Sequence, residues 1–127
     1  MTNESIQIIY LNGPSSSEKT TLAKALQHAF EGPFLHIGID KIIGWMPEKV
    51  NDWTDGEAPI GYSWKKSEDE FDNPIQELQA GPYAQKIGKT FQEVVLALAK
   101  MGHRIIIDDV SFGKQQLDEW KGILKDF

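Results

Sequence analysis

Residues Gly13 to Thr21 read Gly13-Pro14-Ser15-Ser16-Ser17-Glu18-Lys19-Thr20-Thr21. This order is nearly that of a phosphate-binding loop, G-x-x-x-x-G-K-[ST], with Glu18 standing where the second glycine belongs. In such a loop, backbone N–H groups at a helix N-terminus surround a phosphate. Lys19 is predicted to reach the β- and γ-phosphates of ATP, and Thr20 to hold Mg²⁺. The predicted nucleotide-binding residues are Gly13, Ser15, Ser16, Ser17, Lys19, Thr20 and Thr21.

Glu18 leaves an alternative open. A side chain forced into left-handed backbone geometry at this position would cost about 1–2 kcal/mol. The carboxylate of Glu18 would also repel a bound polyphosphate unless Mg²⁺ or Lys19 compensates its charge. The alternative hypothesis is therefore a degenerate loop that binds nucleotide weakly or not at all.

Carboxylates follow two further apolar runs. Asp40 ends the run Phe34-Leu35-His36-Ile37-Gly38-Ile39, where it could be a general base for a substrate hydroxyl or the N-cap of a helix beginning at Lys41. Asp108 follows three isoleucines and is predicted to hold Mg²⁺. The alternative for Asp108 and Asp109 is turn formation, which aspartate favours by bonding its own backbone.

Hydrophobic periodicity indicates the elements that must position these residues. Strands are predicted at 6–11, 34–40 and 104–109, and helices at 19–31, 41–53 with Pro47 kinking or dividing it, 82–101 and 114–125. The order predicts an α/β fold, a parallel sheet of about three strands with helices on both faces. Ligands bind beyond the carboxyl ends of such strands, where the loop, Asp40 and Asp108 all fall.

Length and composition indicate one domain, residues 1–127. Within it, 54–81 lacks periodicity and is predicted to be an irregular lid or acceptor-binding segment. The net charge of -6 argues against a nucleic-acid partner, and no apolar run is long enough to span a membrane. The absence of cysteine and of a secretory leader favours the cytoplasm.

Other side chains that could do chemistry receive weaker predictions. Arg104 is the only arginine, and because it opens an apolar strand it cannot act as a mobile lid residue. No metal or catalytic role is predicted for the scattered histidines, which are His28, His36 and His103. Four aromatic residues could line an acceptor pocket or simply form core: Trp45, Trp53, Tyr62 and Trp64.

Three segments together resemble the chloramphenicol phosphotransferase-like family of kinases with a phosphate-binding loop. They are Ile8-Ile9-Tyr10-Leu11-Asn12-Gly13 with the serine-rich loop, Ile37-Gly38-Ile39-Asp40 with Trp45-Met46-Pro47, and Gly102-His103-Arg104-Ile105-Ile106-Ile107-Asp108-Asp109-Val110. The resemblance implies transfer of the γ-phosphoryl group of ATP to a small-molecule hydroxyl. It also implies that Asp40 activates the acceptor, while Lys19 and Thr20 contact ATP and Mg²⁺.

The chain departs from this family at Glu18 and by ending at Phe127, where members continue with further strands and an arginine-bearing lid. By resemblance, the first strand would then be an exposed apolar sheet edge, which predicts a homodimer or higher oligomer. Two other hypotheses stay open. One is an inactive remnant that binds a partner through this edge, and the other is a zeta-toxin-like kinase acting on a sugar nucleotide.

Overall fold

The structure is a computed structural model that describes residues 6–12, 17–54, 56–68, 70–109 and 114–127. Its strands are β1 Ile8–Asn12, β2 Phe34–Gly38, β3 Tyr62–Glu68, β4 Pro74–Ala80 and β5 Arg104–Asp109. Its helices are α1 Ser17–Ala29, α2 Ile39–Ile43, α3 Pro82–Lys100 and α4 Lys114–Ile123, with a 3₁₀ turn at Glu48–Val50. The chain forms two units, one of Met1–Lys41 with Phe91–Phe127 and one of Ile42–Thr90.

The first unit contains a parallel three-stranded sheet in the order β1-β5-β2. The central strand β5 carries Ile105, Ile106 and Ile107, all fully buried. A continuous apolar run is typical of a parallel strand covered on both faces. The predicted α/β fold with three parallel strands flanked by helices is confirmed.

Side chains alternate between the two faces of this sheet. On one face, Ala23 and Phe30 from the α1 region pack with Phe34 and Ile106. The opposite face carries Tyr10, which pairs in register with Ile107. There the Trp120 ring of α4 lies 6.0 Å from the Tyr10 ring and 5.3 Å, edge-on, from the Phe91 ring of α3. Helices therefore cover both faces, and aromatic rings form much of the second layer.

Arg104 is used structurally at the amino end of β5. Its guanidinium carbon lies 4.3 Å from the centre of the Phe34 ring and 5.7 Å from that of Phe30. Its Nε donates to the Ile6 carbonyl oxygen at 2.9 Å. Arg104 thus stabilises the amino end of β5, whereas Asp108 lies at the carboxyl end. This agrees with the prediction that Arg104 is not a lid residue.

The second unit corrects the prediction of irregular structure at 54–81. Strands β3 and β4 form an antiparallel hairpin, in register from Tyr62↔Ala80 to Glu68↔Pro74. The segments Tyr-Ser-Trp-Lys-Lys-Ser-Glu and Pro-Ile-Gln-Glu-Leu-Gln-Ala contain few apolar residues, so their period-two pattern is weak. Pairing of backbone groups does not depend on that pattern.

The core of the second unit holds Met46, Tyr62 and Ala84. The Tyr62 hydroxyl donates to the Ala84 carbonyl oxygen at 3.2 Å. The Trp53 ring stacks on Tyr62 with centres 6.0 Å apart, while Trp53 itself stays 47% exposed. Of the four aromatic residues predicted as pocket or core, Tyr62 is core and Trp45 is exposed.

Two short helical segments replace the predicted helix over 41–53. Helix α2 spans Ile39–Ile43, and after Pro47 the 3₁₀ turn forms at Glu48–Val50. Proline has no backbone N–H and cannot continue a helix, which explains the division. Nearby, hydrogen bonds from the Thr54 hydroxyl and backbone N–H lower the pKa of Asp52.

Helix α3 ends in a Schellman motif, in which Gly102 has φ of 88°. Its N–H donates to the Ala99 carbonyl oxygen at 3.0 Å, and the His103 N–H donates to that of Leu98 at 3.1 Å. These bonds satisfy carbonyls left free at the helix end. Gln7 also ties this end to the start of β1, because its side-chain amide donates to the Ala99 carbonyl oxygen at 3.0 Å. In the described ranges, no helix is both long enough and apolar enough to cross a bilayer.

Gly102→Ala is expected to lower the free energy of unfolding by about 1 kcal/mol, because an L side chain resists this left-handed geometry. Gly88→Ala is the matched control. It lies inside α3, and at both positions an added Cβ would meet no atom within 4 Å. In a helix interior this change should raise the free energy of unfolding by about 0.5–1 kcal/mol. Urea denaturation followed by circular dichroism measures both, and equal effects would contradict the assigned geometry.

Candidate phosphate and metal site at the strand ends

Three polar side chains converge on the carboxylate of Asp108. The Lys19 ammonium lies 3.3 Å from Oδ1. The Thr20 hydroxyl donates to Oδ2 at 3.4 Å, and His36 Nε2 lies 3.1 Å from the same oxygen. Lys19, Thr20 and Asp108, which the sequence predicted as site residues, are therefore brought together.

Sheet register explains this convergence. Asp108 pairs with Leu11 of β1 on one side and with Gly38 of β2 on the other. The chain leaving β1 enters α1, whose first turn carries Lys19 and Thr20. His36 lies two residues before Gly38 and so points to the same sheet face as Asp108. All four side chains thus meet on the face that α1 covers, at the carboxyl ends of the strands.

Gly38 leaves room beside the Asp108 carboxylate. A Cβ added at Gly38 would lie 3.4 Å from the Asp108 carbonyl oxygen and 3.9 Å from its carboxyl carbon. A larger side chain at this register position would extend over the carboxylate. The glycine therefore keeps one side of Asp108 open.

Asp109 has a different role from its neighbour, because alternation turns its side chain to the opposite face. It is buried, and its Oδ2 accepts hydrogen bonds from Trp120 Nε1 at 3.0 Å and from the Tyr10 hydroxyl at 3.3 Å. Its backbone carbonyl oxygen accepts a hydrogen bond from Lys19 Nζ at 2.7 Å. Both aspartates belong to β5, paired in register with β1, so the turn-forming alternative is wrong for them.

Part of the predicted loop lies outside the described residues, namely Gly13, Ser15 and Ser16. Ser17 begins α1, and Thr21 is an exposed residue of its first turns. Glu18 is the second residue of α1 and is exposed. Among the described residues other than glycine, only Asp72 has a positive φ. The left-handed strain anticipated for Glu18 is therefore absent.

The charge of Glu18 does affect the site. A carboxylate in the first turn of a helix interacts favourably with the helix dipole, typically by about 0.3–1 kcal/mol. The same position is where a phosphate would bind. Glu18 thus stabilises the start of α1, and its negative charge would repel an incoming anion.

Asp40 lies near the site but makes no described contact with it. It is an exposed residue of α2, two positions beyond Gly38. In the part of the chain that the structure describes, no hydrogen bond or ion pair joins Asp40 to Lys19, Thr20 or Asp108. Because α2 begins at Ile39, Asp40 lies inside the helix, and the alternative that it caps a helix beginning at Lys41 is wrong.

His36 is the site residue that sequence reasoning missed. Its imidazole is largely buried, with 19% of the side chain exposed. The available signal was its position two residues before the glycine of Ile37-Gly38-Ile39-Asp40, on a predicted strand. This position identifies Asp108 as the partner of His36 only when β2 is known to lie beside β5.

The first strand of this parallel sheet is followed by a helix whose first turn carries Lys19 and Thr20, and the central strand ends with Asp108. This arrangement defines an α/β protein of the phosphate-binding-loop type. The sequence model of one family, chloramphenicol phosphotransferase-like protein, matches residues 6–127. The chain therefore belongs to this family, which is one of kinase-like phosphotransferases. No curated protein shows significant sequence similarity to it.

Asp109→Ala is expected to lower the free energy of unfolding by about 1–3 kcal/mol, because the buried Trp120 N–H would lose its acceptor. Asp118→Ala, an exposed change on α4, serves as the control and should alter stability by less than about 0.5 kcal/mol. Thermal and urea unfolding measure both. A near-neutral Asp109→Ala would show that the carboxylate does not hold this layer together.

Proposed function

We propose that this protein is an ATP-dependent phosphotransferase that moves the γ-phosphoryl group to a small-molecule hydroxyl. The observation that supports it best is the convergence of Lys19 and Thr20 on Asp108 at the carboxyl end of β5. A cation at a helix N-terminus, a hydroxyl and a strand-end carboxylate are the groups that phosphoryl transfer requires.

Lys19 is held in position by two oxygens of the same strand end. Its ammonium donates to the Asp109 carbonyl oxygen at 2.7 Å and lies 3.3 Å from Asp108 Oδ1. Only 11% of its side chain is exposed. A lysine fixed in this way would contact the β- and γ-phosphates without first losing much side-chain entropy.

Thr20 and Asp108 fit a bound Mg²⁺. When the Thr20 hydroxyl donates its hydrogen to Asp108, its oxygen lone pairs stay available to a cation. In the described ranges, no cluster of three or more histidine, cysteine or acidic side chains forms a cage. Mg²⁺ in kinase sites usually takes one or two carboxylates together with phosphate oxygens, which is the set proposed here. The ion would neutralise charge on the phosphates.

Asp40 is the proposed general base. Its exposed carboxylate lies just beyond the carboxyl end of β2, whose Gly38 is the register partner of Asp108. From there it would accept the proton of the acceptor hydroxyl as the oxygen attacks the γ-phosphorus, while the bond from that phosphorus to the β–γ bridging oxygen breaks and ADP leaves. The antibiotic-type acceptor of the family's namesake and a sugar-nucleotide acceptor both satisfy this chemistry.

The rival proposal is a degenerate loop, and Glu18 is the observation that favours it. Because Glu18 sits in regular helix, the substitution imposes no left-handed backbone strain at its own position. What opposes function is therefore charge alone, and Lys19 or Mg²⁺ can offset charge. We favour the active form for this reason.

Calorimetric titration with ATP and Mg²⁺ tests nucleotide binding. Lys19→Ala should weaken binding by about 10- to 100-fold, the value of a hydrogen bond to a charged group, whereas Lys24→Ala, an exposed change on α1, should leave binding unchanged. Glu18→Gly should tighten it. Heat from Glu18→Gly together with none from the natural chain at millimolar ATP would establish the degenerate loop.

Transfer itself is tested separately. Asp40→Asn should leave ATP affinity within about twofold and abolish phosphoryl transfer to hydroxyl acceptors, because it removes the base without touching the phosphate contacts. Transfer is followed with γ-labelled ATP against a panel of antibiotics and sugar nucleotides. Undiminished turnover in Asp40→Asn would remove this residue from the mechanism.

We also propose self-association through β1. In the described part of the sheet, β1 pairs only with β5 and lies at the edge. Unpaired backbone groups on such an edge can pair with a second copy. Light scattering at micromolar concentration should give a dimer or larger species, and Ile8→Lys should shift it toward monomer. A monomeric natural chain would contradict this proposal.

A further inference from the structure

His36 makes a contact that the proposed reaction does not yet use. Its Nε2 lies 3.1 Å from Asp108 Oδ2. Because an ionised carboxylate only accepts hydrogen bonds, the contact is a hydrogen bond when Nε2 carries the hydrogen and donates it. The residue comes from β2, whereas the other two partners of Asp108 come from α1.

The three contacts together fix the carboxylate from two directions. Lys19 engages Oδ1, while Thr20 and His36 both engage Oδ2. A donor on only one side would leave the carboxyl group free to rotate about its bond to Cβ. His36 approaches from the strand opposite to the α1 connection and completes the restraint.

The surroundings of His36 indicate which group its imidazole acts on. Its described polar contact is the one with Asp108, which lies on the same sheet face. Its sheet face is also that of Phe34, which the Arg104 guanidinium covers. Toward the carboxyl end of the strands, the next residue on this face of β2 is Gly38, which leaves space beside Asp108. The described geometry therefore connects the imidazole to the site through Asp108.

We propose that His36 is a positioning residue that holds Asp108 in the orientation needed to bind Mg²⁺. The inference rests on the proposed function, because it concerns the metal contact of that same site. Residues that orient a metal ligand typically change metal affinity or activity by about 10- to 100-fold when removed. The expected signature is a changed Mg²⁺ dependence with little change in folding.

Two variants separate this role from simple space filling. His36→Leu removes the donor and keeps an apolar side chain, whereas His36→Gln keeps an N–H donor. His28→Leu, an exposed change on α1, is the control. We expect His36→Leu to raise the Mg²⁺ concentration for half-maximal ATP binding by about tenfold. In His36→Gln this concentration should stay close to that of the natural chain, because an N–H donor is kept.

A double-mutant comparison with Asp108 distinguishes the positioning role from a purely structural one. In an Asp108→Ala background, His36→Leu should have no further effect on Mg²⁺ dependence, because its target is gone. Unfolding midpoints measured on the same samples show whether a variant has merely lost stability. A full tenfold effect of His36→Leu in that background would overturn the inference.

A ligand-free measurement keeps this inference distinct from the proposed function. The imidazole Nε2–H proton of His36 should give a hydrogen-bonded NMR resonance that disappears in Asp108→Ala. If the natural chain binds no ATP at any Mg²⁺ concentration, the proposed function and the metal role both fail, while the resonance still reports whether His36 holds Asp108. If ATP binds normally but His36→Leu leaves Mg²⁺ dependence unchanged, only the positioning role is overturned.

Discussion

Two adjacent carboxylates at the end of β5 face opposite sides of the sheet, and the rest of the structure depends on that alternation. Asp109 points toward the aromatic layer, where Trp120 and Tyr10 donate to its buried oxygen. Asp108 points toward α1, where Lys19, Thr20 and His36 surround it. One side chain thus anchors the strand end to α4, and the other presents charge at the site. Because a buried carboxylate needs its donors, the aromatic layer holds the strand end where the site requires it.

Lys19 links the two halves of this arrangement. It donates to the carbonyl oxygen of Asp109 and forms an ion pair with Asp108, so the first turn of α1 is attached directly to the central strand. Glu18 precedes it in regular helical geometry. The backbone therefore tolerates Glu18 at the position of the motif glycine, and the effect of the substitution is electrostatic: it favours the helix dipole and would oppose a phosphate at the same place.

Sequence patterns predicted some elements well and others poorly, for physical reasons. The bounds of β5 and the start of α3 agree with the sequence prediction, since a buried apolar run and a proline at the first turn are strong local signals. The sequence does not indicate the hairpin of β3 and β4, because its few apolar residues give no clear alternation and the pairing of its backbone groups does not depend on such a pattern. The predicted end of β2 is two residues later than the observed one. Asp40 therefore lies in α2 and not at the end of the strand.

The sequence by itself determined the family, the parallel α/β class and three of the converging residues, Lys19, Thr20 and Asp108. These follow from motifs and strand ends, which are local and read along the chain. Only the tertiary structure decided that His36 is their partner, that Asp109 is structural and that Arg104 clamps the far strand end. Each of these depends on which strands are neighbours and which face a side chain occupies, and the strand order β1-β5-β2 joins residues far apart in the chain.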